Sequence, residues 1–235
     1  MMSRDHAEVV NDFAEFGVTA FTTTRAFGTI SASSNEPAGA VMLRWDAVHE
    51  MARAAGVHRF ATARQVHGVN IIVHRAGWRG WLREADADGH FAPAPDTALG
   101  VSIADCVPVF IAHPGGAVAL LHSGWRGTEA RIVDHGIGAF AACGLAVREL
   151  RVHLGPAICG ACYEVSADVA SRLLGQPVHT PRTVDLRALI AGHARSLGVR
   201  EITASATCTR CDNDRFFSHR AGDAGRQLSV IFGRA

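Results

Sequence analysis

The chain has 235 residues, 48% of them hydrophobic and 19% charged, with a formal net charge of +1. A chain of this length buries a core without help from disulfides or metal, and its charge balance offers no footprint for nucleic acid or an anionic membrane. All 23 basic residues are arginine, so Schiff-base lysine chemistry and a P-loop lysine are excluded; arginine or backbone N–H groups must hold any phosphate.

The opening residues carry Arg4, Asp5, His6 and Glu8 and no apolar stretch, so no secretory signal is expected there. No apolar run approaches the ~20 residues of a membrane span. A cytoplasmic location is expected, in which the six cysteines stay reduced. Concentrations of β-formers predict strands over residues 18–24, 61–66 and 70–75, with loop-rich stretches at 31–39 and 89–95. Residues 107–113 and 117–123 flank Pro114-Gly115-Gly116 and predict a hairpin. After Gly124 the period turns helical: Thr128, Ile132, Val133, Ile137 and Phe140 share one stripe, which Gly144 ends. Further strands are predicted over 150–154, 201–207 and 227–232, and helices over 167–174 and 185–197. The order lacks a regular β-α alternation and predicts an α/β fold, a single-domain α/β sandwich with a mixed β-sheet over residues 1–235.

Three short blocks carry chemistry. They are Gln65-Val66-His67-Gly68, Ala104-Asp105-Cys106-Val107-Pro108 and Leu121-His122-Ser123-Gly124-Trp125-Arg126-Gly127. Each sets a potential metal ligand at the end of an element, beside a Gly or Pro that lets the chain turn. Two imidazoles and a thiolate suit zinc, and three protein ligands leave a fourth tetrahedral position for water or substrate. Spacing alone does not distinguish them, since thirteen histidines are present and most such residues are structural.

The same blocks resemble the laccase-domain family, once labelled multicopper polyphenol oxidoreductases and now associated with purine nucleoside phosphorylase and adenosine deaminase activities. The resemblance extends to Leu154-Gly155-Pro156-Ala157-Ile158, Tyr163-Glu164-Val165, Cys208-Thr209, Arg215-Phe216-Phe217-Ser218-His219-Arg220 and Gly225-Arg226. It implies His67, Cys106 and His122 as ligands of one zinc per chain, with copper an adventitious substitute. It implies a zinc-dependent purine nucleoside phosphorylase with adenosine deaminase and methylthioadenosine phosphorylase activities. The implied partners are purine nucleosides and phosphate, with neither nucleic acid nor membrane, for a monomer or weak homo-oligomer. Two departures stand out. Thr24-Arg25 is followed by Ala26-Phe27-Gly28 where relatives carry two glycines, and His219 replaces a tyrosine common after Phe-Phe-Ser.

Phosphorolysis needs an anion site. Arg126, at the entry to the helix expected after Gly124, is the first choice, joined by Ser123. Arg64 is a weaker choice, because i and i−3 on a strand point to opposite faces. Cys106 and Arg126 are thus the expected catalytic residues. Asp105 reads as a turn residue, and Asp86 matches a family Ala-Asp-Ala string.

The main rival is a metal-free cysteine amidase acting on peptidoglycan precursors, with Cys106 as nucleophile and His122 or His67 as its base. A true multicopper oxidase is excluded, because the chain has no His-x-His pair for a trinuclear cluster. The pairs Cys159/Cys162 and Cys208/Cys211 lie much further apart than the ~15–20 residues between paired zinc knuckles. They are expected to be buried thiols.

Overall fold

The computed structural model describes residue 3 and residues 5–234. Met1, Met2 and Arg4, which bear part of the N-terminal reading, and Ala235 lie outside the described residues. In chain order the first strands are β1 (Ala7–Val10), β2 (Val18–Thr23), β3 (Arg59–Ala63), β4 (Ile71–Val73), β5 (Gly80–Glu84), β6 (Gly89–Ala92) and β7 (Thr97–Ile103). They continue with β8 (Val107–Ala112), β9 (Val118–Ser123), β10 (Arg151–Leu154), β11 (Glu164–Val165), β12 (Arg182–Thr183), β13 (Glu201–Ala204) and β14 (Gln227–Gly233). The helices are α1 (Ala38–Ala54), α2 (Trp125–Glu129), α3 (Ile132–Ala142), α4 (Ala167–Leu174) and α5 (Leu186–Ser196).

Two six-stranded mixed sheets hold twelve of these strands, in the orders β1-β2-β14-β7-β3-β5 and β13-β10-β8-β9-β6-β4, and β11 pairs with β12 in a small two-stranded sheet. The expected α/β sandwich with mixed pairing is therefore what forms. Strands β8 and β9 are buried at every position, which demands cover on both faces of their sheet. On one face Phe110, Val118 and Leu120 meet Leu99, Val101 and Ile231 of the other sheet. On the opposite face Val109, Ala119 and Leu121 pack under α3, α4 and α5. The first sheet is covered in turn by α1, through Val48 and Ala52 against Phe60, Ala98 and Val230. The result is four layers, helix–sheet–sheet–helix.

The expected hairpin forms, with register Val107↔Ser123 to Ala112↔Val118. Its turn places Gly116 at φ +84°, a conformation that side chains with a Cβ avoid. Other elements depart from expectation for physical reasons. The predicted loop at 89–95 contains β6, whose Gly89 is there for packing rather than turning. A Cβ on Gly89 would fall 2.1 Å from Ile71 Cδ1. Strand β7 was hidden similarly by Gly100, where a Cβ would fall 2.9 Å from the Phe60 ring. Helix α1 begins inside the stretch read as loop and buries a narrow stripe of Val41, Val48 and Ala52 while exposing Met42 and Leu43. The single helix expected after Gly124 is two, because Arg131 adopts a left-handed φ of 59° between α2 and α3.

One topological fact positions the functional site. The chain passes from the first sheet to the second at β3–β4, β5–β6 and β7–β8, and these three crossings lie side by side near the end of β9.

Phe60 ties α1 to its sheet, with ring centroids 6.0 Å from Trp45 and 5.9 Å from Trp81. Phe60→Ala should cost about 3–5 kcal/mol in urea denaturation, as for a fully buried aromatic. A loss below about 1 kcal/mol would mean that α1 does not pack on this ring.

Candidate metal centre

His67, Cys106 and His122 come from three different places and converge. His67 lies on the β3–β4 crossing, Cys106 on the β7–β8 crossing, and His122 near the end of β9. One ligand atom from each lies within 4.8 Å of the other two, and the two imidazole rings meet edge to face at 4.8 Å. His67 is exposed, Cys106 half-buried, and His122 buried.

The backbone pays local strain to bring them together. His67 has φ 60° and Asp105 has φ 82°, both left-handed, a conformation costing of order 1–3 kcal/mol outside glycine unless the surroundings hold it. Asp105 is held by its own carboxylate. Its Oδ1 accepts from Thr209 Oγ1 at 2.6 Å, and its Oδ2 accepts from the Arg220 N–H at 2.7 Å. It is therefore a turn residue, as its position beside Cys106 suggested. Gly124 is required by space, since a Cβ there would sit 2.9 Å from Cys106 Sγ and 3.1 Å from His67 Cδ2.

The His67 turn is held by a residue that the sequence reading did not single out. Asp88, on the β5–β6 crossing, is fully buried. Its carboxylate accepts the backbone N–H groups of Val66 at 3.1 Å, His67 at 2.9 Å and Gly68 at 2.7 Å. The same carboxylate meets His122 Nδ1 at 2.8 Å. That contact leaves His122 Nε2 as the nitrogen free for a metal, the arrangement in which a carboxylate orients a ligating histidine. Burial alone would raise the Asp88 pKa; the His122 hydrogen bond and the N–H donors hold it below the ordinary carboxylate value. Asp86, the expected member of this acidic string, instead pairs with Arg64 on the surface.

Charge is concentrated around Cys106. Burial opposes ionisation of its thiol, but the adjacent His122 and the hydrogen bonds from His122 and His67 bring it down to about 6. Burial likewise works against the His122 cation, and the Cys106 thiolate with Asp88 overcomes it, raising His122 to about 9. Each shift favours the charged form of its group, a thiolate beside an imidazolium, and the thiolate is the form in which sulfur binds a metal.

A pocket of about 260 Å³ opens onto His67 and Cys106 and is also lined by Trp125, Arg126, Tyr163, His219 and Arg220. A larger cleft of about 560 Å³, along Val9, Phe21, Met51 and Phe232, contains no His, Cys, Asp or Glu. Of the residues expected at the anion site, only Arg126 reaches the metal-side pocket, with its guanidinium 4.3 Å above the Trp125 ring. Arg64 does not line it. Ser123 is fully buried and commits its Oγ to Thr128 Oγ1 at 3.0 Å. Helix α2 is only five residues long, so an arginine rather than a long helix dipole provides the positive charge. Arg25, just before the divergent Ala26-Phe27, stacks 4.3 Å over Phe217 and bonds Asp223, bracing the loop that bears His219 and Arg220. His219, Arg220 and Tyr163 sit within the family-like strings, but only the fold shows that they share a pocket.

Fold and site together define an α/β sandwich with a three-donor centre of metal-binding type, built where its two sheets exchange strands. The profile of the family described as multi-copper polyphenol oxidoreductase laccase matches residues 26–234, and the chain belongs to that family. Purine nucleoside phosphorylase of Mycobacterium tuberculosis is 36% identical over 155 residues, which cover 63% of this chain. The chain spans 62% of that relative's length. Purine nucleoside phosphorylase of Deinococcus radiodurans is 33% identical over 73% of this chain and 69% of its own. Among solved structures, YlmD from Geobacillus stearothermophilus superposes with a TM-score of 0.89 at 25% identity, covering 100% of this chain and 98% of that one.

Asp88→Asn removes the charge that orients His122 and presents an amide to N–H donors. Metal affinity, measured with zinc as the probe by competition with a chelator on protein shown to be folded, should fall about 10–100-fold. Unchanged affinity would detach Asp88 from the metal centre.

Proposed function

We propose that this chain is a zinc-dependent purine nucleoside phosphorylase that uses inorganic phosphate to cleave the bond between a purine and its ribose. The observation carrying this reading is the convergence of His67, Cys106 and His122 on a pocket that also holds Arg126. The relatives named purine nucleoside phosphorylase support it. Two imidazoles and a thiolate match zinc, and three ligands leave one position open to the pocket. Bound there, zinc supplies Lewis acidity toward a substrate oxygen. Copper fits the same donors as an adventitious substitute.

The chain's own residues do the rest. Asp88 fixes the His122 ring so that one nitrogen faces Cys106. Arg126 holds phosphate through its planar fork, its face covered by Trp125 and its N–H edges unengaged among the described residues. A phosphate oxygen forms the bond to C1′ as the C1′–N bond breaks, and the electron pair leaves with the purine, which must gain a proton. Tyr163 lines the pocket, and burial foremost pushes its pKa up to about 12. Its hydroxyl therefore keeps its proton at neutral pH and offers a donor, and His219 lines the same pocket. Adenosine deamination and methylthioadenosine phosphorolysis are proposed as further activities of this pocket, since each places a purine in it.

A family description in terms of multicopper laccase chemistry is not supported by this chain's donors. The sequence has no His-x-His pair. Among the described residues the centre comprises three ligands, too few for a blue copper site plus a trinuclear cluster.

Arg126→Ala should raise the KM for phosphate about 10–100-fold, the loss of one charge-assisted contact. Zinc content should not change, and water-driven deamination should suffer much less. Lysine in its place should recover part of the loss, keeping charge without the fork. Equal damage to both reactions would assign Arg126 to nucleoside binding. A cysteine amidase acting through Cys106 would show no phosphate dependence and would survive chelation.

A further inference from the structure

The two C-x-x-C pairs, distant in sequence, meet in the fold. The Sγ atoms of Cys159, Cys162, Cys208 and Cys211 all lie within 4.8 Å of one another. The expectation of buried thiols is corrected as well, since only Cys208 is buried and Cys211 is exposed. Sequence separation misled because backbone pairing joins the two segments. Ala157 and Cys208 form a parallel bridge, and the Thr209 N–H donates to Ala157 O at 3.2 Å. The long intervening helical region is simply an excursion from that bridge.

Each pair sits on a tight turn. In the first, the Cys162 N–H donates to Cys159 O at 3.0 Å. In the second, the Asp212 N–H donates to Cys208 O at 2.9 Å, and the Cys211 N–H points at Cys208 Sγ at 3.5 Å. Cys208 Sγ also receives the Cys159 N–H at 3.2 Å, across the two turns. Amides aimed at a sulfur favour a charged, ligating thiolate. Cys162 and Cys211 approach to 3.5 Å between sulfurs, closing the ring of four.

We propose that Cys159, Cys162, Cys208 and Cys211 form a second metal site, a closed tetrathiolate that binds a structural zinc ion. Four thiolates around one point fill all four tetrahedral positions, so the site has no opening for substrate. The donors gather around a common centre, with every sulfur near every other, rather than as two isolated pairs. That is the arrangement a single soft cation needs and two disulfides do not.

The position of the site gives it a purpose. Cys162 precedes Tyr163, which lines the catalytic pocket, and Arg210 Nη1 reaches back to Cys162 O at 3.2 Å. Thr209, between the second pair of cysteines, bonds Asp105 in the turn that presents Cys106. A metal here clasps the loop that brings Tyr163 to the pocket onto the loop whose Thr209 holds the Asp105 turn, although its donors are separate from His67, Cys106 and His122. The site therefore stands whether or not the catalytic reading holds.

Metal analysis of the purified protein should find about two zinc ions per chain. The double variant Cys208→Ser/Cys211→Ser should lose one of them and unfold at lower temperature, while His122→Ala should lose the other. A misfolded variant would not blunt the test, because two measurements use the unaltered chain. Cobalt substituted into the wild-type protein should show thiolate charge-transfer intensity well above that of the single Cys106 ligand. Alkylation of the native zinc protein should modify Cys143 first among the six cysteines, and chelation should release the rest. A single zinc per chain with the four knuckle thiols alkylated at once would overturn the proposal. So would a disulfide mapped among them in anaerobically purified protein.

Discussion

Asp88 accepts four hydrogen bonds while shut away from water, three from consecutive amides of the His67 turn and one from the His122 imidazole. A buried carboxylate is costly unless it is paired and fully bonded. Here its partners are the backbone of one proposed ligand, His67, and the side chain of another, His122. The charge that makes Asp88 expensive to bury therefore fixes the positions of both histidines, and without it the His67 turn has no reason to keep its left-handed backbone. The Cys106–His122 pair depends on it too, because a cationic or metal-bound His122 needs an acceptor on Nδ1.

The architecture explains how one carboxylate can reach so much. Three crossings carry the chain from the first sheet to the second, and each delivers one residue: His67, Asp88 and Cys106. Strand β9 supplies the fourth, His122, and Gly124 just beyond it provides the space into which sulfur and imidazole fit. The sheets meet through buried apolar side chains, Phe110, Leu99 and Leu120 among them, and a close-packed interior of this kind is stiff. Site residues at the ends of such strands inherit that rigidity while remaining open to a pocket. Arg126 from the first turn of α2, with Tyr163, His219 and Arg220 from loops, then lines the rest of the pocket.

Much of this was legible in the sequence, and the gaps have physical causes. The hairpin at Pro114-Gly115-Gly116 and the helices near 167–174 and 185–197 announced themselves through apolar period and turn residues. The ligand blocks were visible because each sets His or Cys beside a Gly or Pro at a strand end. Asp88 was not, because an aspartate two residues from Asp86 in an acidic, glycine-ended string looks like solvated loop. Only the fold shows one of them buried and the other paired with Arg64 outside. Gly89 and Gly100 concealed strands because a glycine chosen for close packing looks the same as one chosen for a turn. The bond between Ser123 and Thr128 was not legible from their spacing, and the four cysteines looked unrelated until Ala157 was seen to pair with Cys208.

The central claim is that His67, Cys106 and His122 form a metal centre rather than a nucleophile and its bases. Anomalous X-ray diffraction from crystals of the purified protein, collected on both sides of the zinc absorption edge, tests it directly. The account predicts a zinc peak about 2.0–2.1 Å from one nitrogen of each histidine and about 2.3 Å from Cys106 Sγ, with its remaining position facing Arg126. No anomalous density between these three residues in catalytically active protein would contradict it.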